Sequence, residues 1–125
     1  MALHIAHLED EHDLLEGMAF ILEEEAPEAH VAQFANSDDL IAYIDQHCAE
    51  IDLYILDVRV PGARDGIEVA RYIREHECVG AVVVTSAYDP PPESLMRELD
   101  FRFIQKPWEL PESVHQMLGH ARKKP

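Results

Sequence analysis

The sequence predicts a doubly wound α/β protein, a parallel sheet with helices packed on both faces. Three observations carry this expectation. Short apolar runs alternate with segments of helical period five times along the chain. Two of the runs, 53–56 and 81–84, are continuously apolar, as strands buried on both faces are. Nearly every run ends on charged or hydroxyl-bearing residues.

Ile5, Ala6 and Leu8 make the first strand, which ends at Glu9-Asp10. Leu14, Leu15, Met18, Ile21 and Leu22 recur at three- and four-residue spacing, the stripe of an amphipathic helix. Val31 to Phe34 is the second strand. Ser37 is expected to cap the second helix, with Asp38 and Asp39 in the first turn, where the helix dipole favours them. Leu40, Ile41, Ile44 and Cys48 share one face of that helix. The third strand ends at Asp57, and Ile67, Ala70 and Ile73 mark a helix after Gly66. The fourth strand ends at Thr85-Ser86. Beyond the prolines at 90–92, Leu95, Met96 and Leu99 allow only a short helix. Phe101, Phe103 and Ile104 form the fifth strand, ending near Lys106-Pro107. Leu110, Val114, Met117, Leu118 and Ala121 complete a final helix, with Pro111 in its first turn.

The chain's 125 residues amount to one domain, with no repeat or Gly/Ser linker. Its net charge of −15 argues against direct binding to nucleic acid or to anionic lipid, both of which need clustered Lys and Arg. No apolar run approaches the roughly 20 residues of a membrane span, and MALHIAHLED has none of the parts of a secretory signal. The expected location is therefore cytoplasmic, with Cys48 and Cys78 as reduced thiols. The histidines lack the HExxH spacing of a metal site and are expected to lower the negative charge as pH falls through their range.

In a doubly wound sheet the functional crevice lies outside the carboxyl ends of the strands. Glu9, Asp10 and Asp57 are then expected to converge, with Thr85 and Lys106 beside them. Carboxylates at close range raise one another's pKa unless a cation sits among them. Oxygen ligands of this kind suit Mg²⁺. A lysine and a hydroxyl suit phosphoryl oxygens, and one carboxylate can be a nucleophile. These residues suggest Mg²⁺-dependent phosphoryl transfer to an aspartate.

Four segments, in order and at strand ends, carry a family resemblance: the acidic pair in HLEDEHD, the aspartate in YILDVRVPG, the threonine in VVVTSA and the lysine in FRFIQKPW. From about His4 to His120 the chain resembles the receiver domain of two-component response regulators, in particular free-standing chemotaxis-type receivers. The resemblance implies a flavodoxin-like (βα)5 fold with strand order 2-1-3-4-5. It implies that Asp57 accepts a phosphoryl group from a phosphohistidine on a histidine kinase or histidine phosphotransfer protein. Mg²⁺ (or Mn²⁺) would be held by Asp10, Asp57 and the main-chain carbonyl of Arg59, with Glu9 acting through water. Lys106 would pair with the phosphoryl oxygens. Thr85 and Phe103 would form the switch, and the Lys106–Pro107 bond would be cis.

The chain departs from the family pattern in several places. The acidic pair is Glu-Asp, Gly66 falls nine positions after Asp57, the switch aromatic lacks a hydroxyl, and YDPPPES precedes a short helix. Other readings fit less well. A haloacid-dehalogenase-like phosphatase needs an aspartate where Arg59 stands, and a flavin phosphate would be repelled by EDEHD. A receiver-like module that only binds partners would be expected to lack Asp57 or Lys106. The expectation is thus a single receiver, core about 4–120, without an output domain, working as a switch and not as an enzyme.

Overall fold

The computed structural model describes residues 2–122. Ten elements alternate along the chain: β1 (His4–Leu8), α1 (His12–Glu25), β2 (His30–Phe34), α2 (Ser37–His47), β3 (Leu53–Asp57), α3 (Gly66–Glu75), β4 (Ala81–Ser86), α4 (Glu93–Leu99), β5 (Phe101–Gln105) and α5 (Glu112–Arg122). The strands pair in parallel in the order β2-β1-β3-β4-β5. This is the flavodoxin-like order implied by the family resemblance.

The sheet separates two apolar layers, and strand alternation decides which residue joins which. Leu53 and Ile55 of β3 face α1 and α5, packing with Met18, Leu22, Met117 and Leu118. Tyr54 and Leu56 face the other way, onto Leu40, Ile44, Val69 and Ile73. Every residue of β3 and β4 is buried, which explains their unbroken apolar runs in the sequence. Between them the two layers place Asp57 and Thr85 at the rim of the sheet's centre.

Several expectations need correction. Asn36, not Ser37, caps α2: its extended backbone lets its side chain accept from Asp39 N at 2.9 Å. Ser37 is buried, and its hydroxyl accepts from Arg64 N at 3.2 Å. It therefore anchors the loop after β3 instead of capping. Pro111 precedes α5 and does not lie within its first turn. Lys123 and Lys124, at the basic end of the sequence, lie outside the described residues.

The cysteines are not free thiols. Cys48 follows α2, Cys78 follows α3, their Cα atoms are 5.4 Å apart, and they form a disulfide. The two helices lie side by side and end at the same rim of the sheet, so residues 30 positions apart in sequence come into bonding range.

Near the same rim, Arg74 at the end of α3 gathers four carbonyls. Nε donates to Leu99 O at 2.7 Å, Nη1 to Cys78 O at 2.9 Å and Gly80 O at 3.1 Å, and Nη2 to Asp100 O at 2.9 Å.

The histidines do not act as one titrating set. His7 is buried in β1 against the α1 and α5 layer, and its Nδ1 is 3.1 Å from Gln33 Nε2. Burial first, and then the charge of Lys106, push it down to about 3. It therefore stays neutral where the sequence alone would have it titrate.

Candidate functional site

The carboxyl ends of β1, β3, β4 and β5 bring together the expected residues. Asp57 ends β3, and its ladder partner on β4 is Thr85. Glu9 and Asp10 follow β1, and Lys106 follows β5. Glu9 is fully buried: Oε1 accepts from Lys106 Nζ, and Oε2 accepts from Glu11 N at 3.1 Å. Lys106 Nζ also lies 3.2 Å from Asp57 Oδ1. Asp10 is exposed at the mouth. One oxygen from each of Glu9, Asp10 and Asp57 lies within 4.8 Å of the others. All are hard oxygen donors, as Mg²⁺ requires.

This crowding shows in the titration of Asp57, which is pushed up to about 6. Burial is the largest cause and the neighbouring Glu9 charge the next. Lys106 opposes both, and Asp10 adds a smaller upward push. Burial alone would lower Lys106. The hydrogen bond to Glu9 and the charges of Asp57 and Glu9 outweigh it, so its ammonium is held above the ordinary lysine value.

The loop after β3 is held close to this cluster. Gly66 opens α3 directly against Asp57, and a β-carbon there would meet Asp57 O at 2.2 Å. Gly62 has φ +119°, and a β-carbon on it would run into Ser37 Oγ at 2.3 Å. With Gly66 N donating to Val58 O at 2.9 Å, these contacts accommodate the longer VRVPGARDG loop while keeping Asp57 in place.

Thr85 is completely buried, and its Oγ1 has no hydrogen-bond partner among the described residues. An unpaired buried hydroxyl is costly to keep unless something else uses it. Phe103 lies beside Val84 on β5, half-buried against the α3 and α4 side of the sheet. The Lys106–Pro107 bond is cis. Trp108 packs with the α1 and α5 layer, and Lys106 Nζ lies 5.3 Å from its ring centre.

The cleft has a volume of about 240 Å³ and is lined by Asp10, Asp57, Arg59, Ser86, Tyr88 and Lys106 among others. The Arg59 guanidinium carbon sits 3.8 Å over the centre of the Tyr88 ring. Sequence reasoning did not find Tyr88. An aromatic beside a proline run has no signal of its own, and only the fold brings it onto Arg59. A larger groove of about 590 Å³ lies away from the carboxylates, between α4 and β5, with Met96, Phe101 and Phe103 in its wall.

The family model described as response regulator receiver domain matches residues 5–118. The chain belongs to that family of signalling domains. No curated protein matches it in sequence. Its fold is similar to a CheY-like receiver domain from Methanospirillum hungatei JF-1, at 20% identity and TM-score 0.79, covering 98% of each chain. It is also similar to the BeF3-activated N-terminal receiver domain of Klebsiella pneumoniae RstA, at 22% identity and TM-score 0.79, covering 96% of this chain and 99% of that one. Chemotaxis protein CheY4 of Vibrio cholerae aligns at 16% identity and TM-score 0.80, covering 97% and 99%. Among the described residues, no helix is long and apolar enough to cross a membrane.

Proposed function

We propose that the chain is the phosphoacceptor of a two-component or phosphorelay system. In this reading Asp57 takes a phosphoryl group from a phosphohistidine on a histidine kinase or histidine phosphotransfer protein. The observation that carries the reading is the meeting of Glu9, Asp10, Asp57 and Lys106 at one end of the sheet. A buried, unpartnered Thr85 hydroxyl sits on the adjoining strand.

An Asp57 carboxylate oxygen attacks phosphorus. An O–P bond forms as the N–P bond breaks, and the electron pair returns to the donor imidazole. Asp10, Asp57 and the main-chain carbonyl of Arg59 would hold Mg²⁺ (or Mn²⁺), with Glu9 acting through a water. When bound, the ion would neutralise carboxylate and phosphoryl oxygens together. Lys106 directs its ammonium at the same oxygens. After transfer, the Thr85 hydroxyl donates to a phosphoryl oxygen, and Phe103 moves into the space this opens. Lacking a hydroxyl, Phe103 signals through shape alone. The new charge favours one of two loop arrangements, and a protein partner reads the difference. Loss of the group to water restores Asp57, so the domain works as a switch. The net charge of −15 favours a protein as that partner over nucleic acid or an anionic membrane.

Acetyl phosphate with Mg²⁺, or beryllofluoride, should occupy Asp57 and change Trp108 fluorescence. Asp57→Asn should remove all acid-labile phosphate, and Asp10→Asn should weaken Mg²⁺ binding. Full-stoichiometry labelling of Asp57→Asn would overturn the reading. Phosphotransfer profiling against histidine kinases and phosphotransfer proteins would identify the donor.

A further inference from the structure

A second cluster of chemically capable side chains lies at the amino end of the sheet, roughly 16 Å from Glu9 along β1 at the usual strand rise. His4 opens β1, His30 stands across from it on β2, and His47 ends α2. The His4 and His30 rings meet edge to face, 4.6 Å between centres. The Tyr43 ring lies 4.3 Å from His47 and 5.7 Å from His4. Glu50, just beyond α2, brings its carboxylate near both rings. Its Oε2 is 3.1 Å from His47 Nδ1 and 4.0 Å from His4 Nδ1. On the other side of the His4 ring, Nε2 is 2.5 Å from Tyr43 Oη. Asp52 holds the start of the strand by accepting from His4 N at 2.8 Å.

We infer that His4, His47 and Glu50 form a binding site for a divalent transition-metal ion of the Zn²⁺ class, with solvent completing the coordination. Two imidazole nitrogens and a carboxylate are a recurrent zinc donor set, and nitrogen donors select such ions over Mg²⁺. The site is therefore distinct in both place and chemistry from the all-oxygen cleft.

The geometry supports the assignment in three ways. First, a hydrogen bond of 3.1 Å between His47 Nδ1 and Glu50 Oε2 already holds these groups near the roughly 3.3 Å that separates ligands bound at about 2.0–2.2 Å to a tetrahedral ion. Second, an imidazole that binds metal through one nitrogen commonly gives the other N–H to an oxygen, which fixes its tautomer. His4 has such a partner in Tyr43; with Nε2–H donated there, the Nδ1 lone pair faces Glu50 Oε2. Third, the His4 side chain is only 14% exposed on a strand of the sheet, so one ligand is held in place beforehand.

The set is looser than the carboxylate cleft, whose donors all lie within 4.8 Å. Closing it takes rotation of the partly exposed His47 ring and of the Glu50 side chain, which is 61% exposed.

The test is calorimetric titration of the chelator-treated protein with Zn²⁺ in millimolar Mg²⁺, which occupies the carboxylate cleft. One Zn²⁺ per chain is expected. His47→Ala and Glu50→Gln should each weaken binding by about tenfold or more, with unchanged circular dichroism showing that both variants fold. Asp10→Asn and Asp57→Asn should bind as the parent does. Co²⁺ in place of Zn²⁺ should give the intense visible absorption of a tetrahedral site, and His47→Ala should lose it. The inference is overturned if Zn²⁺ does not bind in the presence of Mg²⁺. It is equally overturned if binding survives both His47→Ala and Glu50→Gln, or if it disappears in Asp10→Asn.

Discussion

Lys106 Nζ lies 3.2 Å from Asp57 Oδ1 while it donates to Glu9, so a single ammonium serves two buried carboxylates. Removing one side of such an arrangement leaves uncompensated charge. Lys106→Ala should therefore cost about 3 kcal/mol at pH 7 without divalent ions. Urea unfolding should show the loss shrinking by pH 5, where Asp57 is mostly protonated. The same variant should accept phosphate from acetyl phosphate about a hundredfold more slowly, because a preorganised charge on the transferring oxygens is gone.

The raised Asp57 pKa sets a pH dependence for the metal-free protein. The folded value is about 6, above the value of 3.8 that serves for the unfolded chain. Between these values the folded state binds more protons, so this contribution is complete below about pH 4 and fades as pH rises through 6. Asp57→Asn mimics the protonated side chain at every pH. Thermal melts without divalent ions should find it several degrees more stable than the parent at pH 7.5 and equal to it at pH 4.

Thr85 offers a separation of stability from switching. Its Oγ1 is buried without a partner, so Thr85→Val removes an unsatisfied hydroxyl and should leave the unmodified protein as stable as before, or up to about 1 kcal/mol more so. The spectral change with beryllofluoride should be much reduced in Thr85→Val and kept in Thr85→Ser. A loss of stability in the valine variant would mean that the hydroxyl already has a use.

The stack of Arg59 on Tyr88 roofs the cleft. A cation–π contact at an exposed site is worth about 0.5–1 kcal/mol, or a two- to five-fold effect on a rate. Tyr88→Ala should shorten the lifetime of the phosphoryl group by that factor, and Tyr88→Phe, which keeps the ring, should not. Phosphate release after labelling checks both.

Arg74 joins the ends of α3 and α4 to the start of β4 through its four carbonyl contacts. Arg74→Ala should lower stability by about 2–4 kcal/mol in chemical denaturation. Lysine should restore only part of this, since a point charge cannot reach several carbonyls as the planar guanidinium does.

The alternation of strands and helices and the carboxylate cluster were legible in the sequence because both follow from local pattern, whereas the order of the strands came from the family resemblance. Unbroken apolar runs imply strands covered on both faces, and parallel strands gather their last residues at one edge. Thus the meeting of Asp57, Lys106 and Thr85 follows from their places at strand ends. Cys48–Cys78, the Arg59–Tyr88 stack and the His4–His47–Glu50 group were not legible, because each depends on how distant elements lie beside one another. Ser37 shows a third kind of difference: Asn36 and Ser37 are both good caps, and only the loop contact to Arg64 decides between them.

The disulfide lies at the rim of the sheet where β4 begins, while Asp57, Arg59 and Tyr88 lie at the rim where the strands end. The covalent tie therefore braces one pole of the molecule and leaves the other unfastened. The braced pole serves as a fixed frame for the end where the phosphoryl chemistry is proposed to occur.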